Sequence, residues 1–349
     1  MSPHASVLLS TLVLAAAVCG QERTTTTTKL GSGTVTIDYA PTELKGRSPE
    51  KDLPPGAVFR MSSNEAAQLS CDVPLLFGST VVPPGKHRLS ARHDGKGKWE
   101  VLAFHGVPFH DPAVHSVVLP VKFAEEKKEL EQLTLAASAT SGSPDLGTIA
   151  LHWGKFSLTL APRALTVTKV EGTLGGKPAT FEFYGVPSTR DTHRAIARAE
   201  MLRVGTATQT GEGGVTYAIF GKRVSTGTND VNLIFVNETL QNGPGVITAN
   251  SNTITMLKGL LPQLPAERAA GIEAFMEGLA KSNAATELLI AAAKKMPATV
   301  EIEGDVETGQ KAASSLMVAT KKTDDGLAVT LQLGQGAASF KVTDGAFHK

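Results

Sequence analysis

The chain has little cysteine, few aromatics, almost no net charge and no long apolar run. Cys19 and Cys71 are its two cysteines. Removal of a leader after Gly20 would leave Cys71 alone, which excludes an intramolecular disulfide. Lys and Arg number 34 against 33 Asp and Glu, a formal charge of +1. That balance creates no overall field to attract nucleic acid or acidic lipid. Aromatic residues make up 5%, and no basic segment is interleaved with them. Past the first twenty residues no run approaches the ~20 apolar residues that a membrane-spanning helix needs. Catalytic signatures are missing too. There is no Gly-x-Ser-x-Gly elbow. The glycines Gly172, Gly175 and Gly176 lead into no Lys-Ser/Thr of a phosphate loop. No zincin signature occurs, and neither a cofactor nor a metal is expected.

What is present begins with compartment. Val7 to Val18 reads VLLSTLVLAAAV and is followed by Cys19-Gly20-Gln21. The run is too short for a membrane span and fits the apolar part of a secretory signal, so residues 1–20 are expected as a signal peptide. The expected location is periplasmic or extracellular. Lipidation at Cys19 is the alternative, on a poorly matching signal. Residues 21–29, with five consecutive threonines, are expected as a flexible tether.

Two domains are expected beyond it, 30–162 and 163–349. The first carries short strand candidates: Thr34 to Tyr39, Ala67 to Val73, Trp99 to Phe104 and Thr148 to Trp153. Turns at Pro83-Pro84-Gly85, Asp94-Gly95-Lys96-Gly97 and Trp153-Gly154-Lys155 separate them. Short strands divided by such turns predict an antiparallel β-sandwich or barrel. The second domain reads as α+β. Ile272, Phe275, Met276 and Leu279 share one helical face, and Leu288, Leu289, Ala292, Ala293 and Met296 repeat the pattern. Ser282-Asn283 is expected to break this stretch into a helical pair. A β-meander closes the chain, with Leu327, Val329, Leu331 and Leu333 alternating after the Asp325-Gly326 turn. The fold class is therefore mainly β.

Several pieces of the first domain recur in a fixed order. They are Thr34 to Tyr39, Pro41, Lys45-Gly46-Arg47, Phe59-Arg60, Asn64-Glu65-Ala66, Val82 to Lys86, Trp99-Glu100-Val101 and Thr148 to Lys155. In these the chain resembles the bacterial family called domain of unknown function 2911, over roughly residues 30–160. It departs from the family pattern at Phe59, Ser62-Ser63, Arg88 and Ala103-Phe104. The resemblance implies an exported β-rich domain and supplies no activity.

The polar residues of those pieces, Arg47, Arg60, Asn64 and Glu65, are the candidate binding site. Two arginines beside an amide and a carboxylate suit an anionic group. They equally suit a structural network between loops. The partner expected is an envelope ligand or protein. A second function class is an envelope-polymer hydrolase or lyase using a carboxylate such as Glu65. A third is metal handling by His105, His110 and His115, whose five-residue spacing places them on no common helical face. His87 and His93 flank a turn and read as surface residues. Cys71 reads as a buried strand residue.

Overall fold

The computed structural model describes residues 22–63, 65–186, 196, 199–224, 230–306, 315–334 and 336–348. The expected signal peptide, Cys19 and Asn64 lie outside them. In chain order the first strands are β1 (Thr24–Leu30), β2 (Gly33–Tyr39), β3 (Ala67–Cys71), β4 (Leu75–Phe77) and β5 (Thr80–Val82). Next come β6 (Gly85–His93), β7 (Trp99–Phe104), β8 (Ser116–Leu119), β9 (Lys122–Thr140), β10 (Ser143–Leu160) and β11 (Pro162–Ala164). The later strands are β12 (Thr166–Leu174), β13 (Lys177–Gly185), β14 (Met201–Gln209), β15 (Thr216–Arg223) and β16 (Val231–Asn237). Helices α1 (Glu238–Leu260) and α2 (Ala266–Ala293) follow. The chain closes with β17 (Thr299–Ile302), β18 (Asp305–Val306), β19 (Ser315–Thr323), β20 (Gly326–Gly334) and β21 (Gly336–Thr343).

These elements form two units, each built from separate segments. Unit 1 takes the described residues up to Asp72, then Pro84–Arg163 and Pro244–Glu287. Unit 2 takes Val73–Pro83, Ala164–Gly243 and Leu288–Lys349. A linear division at Pro162 would put residues 244–287 with the second half, whereas they belong to unit 1.

In unit 1, strands β1-β2-β3-β6-β7-β8 make one antiparallel sheet, and the long β9–β10 hairpin belongs to a second. Trp99 of β7 meets Phe156 of β10 edge-on at 4.5 Å and Phe123 of β9 at 6.3 Å. The two sheets therefore face each other across a core. Alternation sets the faces: Val35, Ile37 and Tyr39 of β2 are buried while Thr34, Thr36 and Asp38 are not. The expected turn at Trp153-Gly154-Lys155 is instead a bulge inside β10, with Gly154 at φ 62° and a register shift on either side. A left-handed glycine serves a bulge as well as a turn.

The threonine run is not a tether. It is β1, paired residue for residue with β2 from Thr24↔Tyr39 to Leu30↔Gly33. Threonine is β-branched and favours strands, and Gly31 at φ 57° makes the turn. Leu30 is buried so closely against β10 that a Cβ on Gly147 would lie 2.8 Å from its methyls.

Unit 2 holds the antiparallel sheet β12-β13-β14-β15-β16-β17 and the meander β18-β21-β20-β19. Phe181, Phe183, Tyr217, Phe235, Phe340 and the alternating Leu327, Val329, Leu331 and Leu333 share its core. Gly221 lets the sheets meet, since a Cβ there would lie 2.8 Å from Leu331.

The helices differ in detail from the expected pair. α2 runs unbroken through Ser282-Asn283, and α1 occupies a stretch where the sequence shows no helical period. Inside α2 the Asn283 side chain caps nothing; its Oδ1 accepts from Asn250 Nδ2 of α1 at 2.9 Å. Asn237 opens α1, its Oδ1 accepting the Leu240 N–H at 3.2 Å. Asn237→Ala should cost about 1 kcal/mol, as loss of such a cap does, measured as a lower urea midpoint for unit 2.

Candidate functional site

Strand β6 reads GKHRLSARH, and its alternation divides two kinds of residue. His87, Leu89, Ala91 and His93 face the sandwich core. Arg88, Ser90 and Arg92 face the other way. Both histidines expected at the surface are therefore buried. The His93 ring packs 4.7 Å from Trp99, and its Nε2 lies 2.7 Å from the Leu53 carbonyl.

The outward face is unusual because it is also buried. Arg88 lies opposite Gln68 of β3 and Phe104 of β7. Its Nη2 pairs with Glu65 Oε2 at 3.1 Å, and the two side chains are only 6% and 14% exposed. Its Nη1 donates to the Ala66 carbonyl at 3.5 Å. Burial pulls the Arg88 pKa below the ordinary arginine value, and Glu65 opposes that pull. Ser90, opposite Leu102, is 0% exposed, and its Oγ has no hydrogen-bond partner in the protein. Arg92 pairs with Glu100 at 3.1 Å.

Residues 245–252 of α1 and the loop after β7 cover the Phe104 end of this face. Val246 and Ala249 join Ala66, Phe104, Val107 and Val114 in one small apolar cluster. Asn250, 1% exposed, follows Ala249, and its Oδ1 has no partner in the protein. Asn252 donates to Asp111 at 3.0 Å. Gly245 sits so close to the Ala113 carbonyl that any Cβ would overlap it. His110 meets the Phe104 ring edge-on at 5.2 Å, and its buried Nδ1 is likewise unpartnered. Arg88, Glu65, Ser90 and His110 thus lie on the Phe104 side of the sheet, while the Asn250 amide turns to Asn283 of α2. Buried polar atoms are nearly always hydrogen-bonded, and on this face Ser90 Oγ and His110 Nδ1 are not.

Burial also holds the His110 imidazole below its usual 6.5, with Asp111 opposing and Arg92 reinforcing the shift. The unfolded chain therefore takes up this proton more readily than the folded one. The stability involved is fully present above about pH 6.5 and is lost as pH falls toward the depressed folded value. His110→Phe keeps a ring against Phe104 and removes the proton. It should flatten the fall in unfolding free energy between about pH 7 and pH 5.5, read from urea melts across that range.

The sequence-derived residues are placed as follows. Arg47 follows a tight turn in which Lys45 and Gly46 have φ of 51° and 72°. Its guanidinium donates to the Leu44 carbonyl at 3.0 Å and the Glu43 carbonyl at 2.6 Å, and lies 5.0 Å over the Trp153 ring. Trp153 stacks in turn on Phe59 at 5.5 Å. Arg47 is thus engaged in holding its own turn. The Arg60 side chain is exposed, and its carbonyl accepts the Ala67 N–H at 3.0 Å. Glu65 is bound to Arg88, a residue that sequence reading singled out only as a departure from the family pattern. The three loop histidines do not converge. His105 lies against His87 with rings 5.5 Å apart, while His110 turns to Phe104. Among the described residues no group of three or more His, Cys, Asp or Glu is placed to hold a metal. Burial pushes the Cys71 thiol up to about 12, which leaves no thiolate for nucleophilic chemistry at neutral pH.

Residues 21–161 match the family model described as Protein of unknown function (DUF2911). No curated protein and no solved structure matches the chain. The matched segment holds β1–β10 and so carries Glu65, Arg88, Ser90 and His110. The covering residues 245–252 of α1 lie beyond it.

Proposed function

We propose that the chain is an exported binding protein of the bacterial cell envelope, with its site on the outer face of β6 and β7. The observation that carries this reading is the set of buried polar atoms about Phe104 that the protein itself leaves unpartnered. A face serving only as core would be apolar, or its polar atoms would bond one another. Export is supported by the apolar run Val7 to Val18, and an intact mass beginning at Gln21 for the native protein tests it. Among the described residues no helix is long and apolar enough to cross a membrane.

Binding is preferred over carboxylate catalysis because Glu65 is held by Arg88 and largely shielded from solvent. The test is a thermal-shift screen of the mature protein against metal ions, carboxylates, phosphates and envelope sugars. A stabilising class whose effect disappears in Ser90→Ala supports the reading. Turnover of an envelope polymer that is lost in Glu65→Gln contradicts it and restores the hydrolase or lyase alternative.

A further inference from the structure

We propose that the connection between α1 and α2 is a membrane-contact tip, which settles into the headgroup region of an anionic lipid surface. The tip owes nothing to the site on β6 and β7, and each can stand without the other. Six large apolar residues lie close together in the chain: Ile254, Met256, Leu257, Leu260, Leu261 and Leu264. None of them is buried, nor is any other of the described residues 251–275. Met256 is 52% exposed and Leu260 43%. These two stand one turn apart on one face of α1. A Cβ added at Gly259, beside them, would meet nothing within 4 Å. Single exposed apolar residues are ordinary, whereas a cluster confined to the end of a helical pair marks an interaction surface.

The polar groups of the tip point to lipid as the occupant. Thr253 Oγ1 donates to the Ala249 carbonyl and Thr255 Oγ1 to the Ser251 carbonyl, each at 2.9 Å. Pro262 and Pro265 have no N–H to leave unpaired. The Leu264 N–H donates to the Leu261 carbonyl at 3.2 Å, and the Arg268 N–H to the Pro265 carbonyl at 2.9 Å. Groups closed on themselves in this way suit a medium that offers few hydrogen bonds.

Charge agrees with that choice. From Pro244 to Ala266 the only charged residue is Lys258, which is exposed. Lysine suits the edge of a membrane, since its stem is apolar while its ammonium reaches headgroup phosphates. Area disfavours a second copy of the chain. Two half-exposed side chains fall far short of the ~800 Å² per partner that a stable interface buries. A lipid surface needs no complementary shape.

The experiment is vesicle flotation of the chain beginning at Gln21, which lacks Cys19 and so cannot float through a lipid anchor. The vesicles are phosphatidylglycerol and phosphatidylcholine in equal parts, or phosphatidylcholine alone. The protein should float with the mixed vesicles and less with phosphatidylcholine alone. Met256→Gln together with Leu260→Gln should abolish flotation. The melting temperature should stay level, because both side chains already meet water and glutamine is a good helix former. Lys258→Gln should weaken binding to the mixed vesicles about fivefold, the worth of one cation at an anionic surface. Absence of flotation with both vesicles overturns the inference, as does undiminished flotation of the double variant. A lower melting temperature for the double variant would place these side chains in the protein's own packing and overturn it as well. A dimer in light scattering that the double variant splits, without flotation, gives the tip to a second copy and overturns the lipid occupant.

Discussion

Arg88→Ala should lower the stability of unit 1 by about 3–5 kcal/mol, the usual cost of leaving one member of a buried ion pair alone. The substitution strands the Glu65 carboxylate, which is 14% exposed and has Arg88 as its ion-pair partner. The companion prediction separates pairing from packing. Replacing both members together, Arg88→Met with Glu65→Leu, should recover most of the loss, because no uncompensated charge then remains. The readout is unusually clean. Both tryptophans of the chain, Trp99 and Trp153, belong to unit 1. Urea melts followed by tryptophan fluorescence therefore report on that unit alone. If the double variant were no better than Arg88→Ala, the damage would come from lost packing, and the ion pair would not be what the site requires.

The second large effect is at the β1 edge of the same sheet. Leu30→Ala should cost about 3 kcal/mol, as truncation of a fully buried leucine does. A tether would give no change. The tryptophan melt distinguishes the two outcomes. An unshifted midpoint would mean that β1 adds nothing to the unit and that Leu30 is not a core residue.

These two residues show what was legible in the sequence and what was not. The meander was legible because Leu327, Val329, Leu331 and Leu333 alternate strictly after a hairpin turn, and every one is buried in β20. The β-rich first region was legible for the same local reason. The threonine run conceals its strand because low complexity ordinarily marks flexible chain, although threonine suits a strand. Helix α1 was hidden by composition. Pro244, Gly243 and Gly245 near its start, and the threonines and asparagines after them, show no 3.6-residue apolar period. Tertiary contact fixes that helix, and Gly245 is there because the Ala113 carbonyl lies against it.

The site was half legible. Glu65 stood out beside Asn64 in a recurring motif. Its partner Arg88 did not, because the pairing depends on the register of β3 against β6, which places Gln68 opposite Arg88. His110 was noticed for its spacing with two other histidines. Its actual neighbour is Phe104, an aromatic six residues earlier. Ser90 gave no signal at all, since a serine in a strand has meaning only once both faces are known to be buried. The one available hint was the alternation of Arg88, Ser90 and Arg92, three polar residues where an ordinary two-sided strand would place solvent.

The most direct test is a paired measurement on the mature protein and its Ser90→Ala variant, the ligand-free melt and the thermal-shift screen. Ser90 Oγ is buried and has no partner in the protein, so Ser90→Ala should melt no lower than the parent and should lose the shift given by the stabilising ligand class. A lower ligand-free melt, or an undiminished shift, would contradict the site placed on β6 and β7.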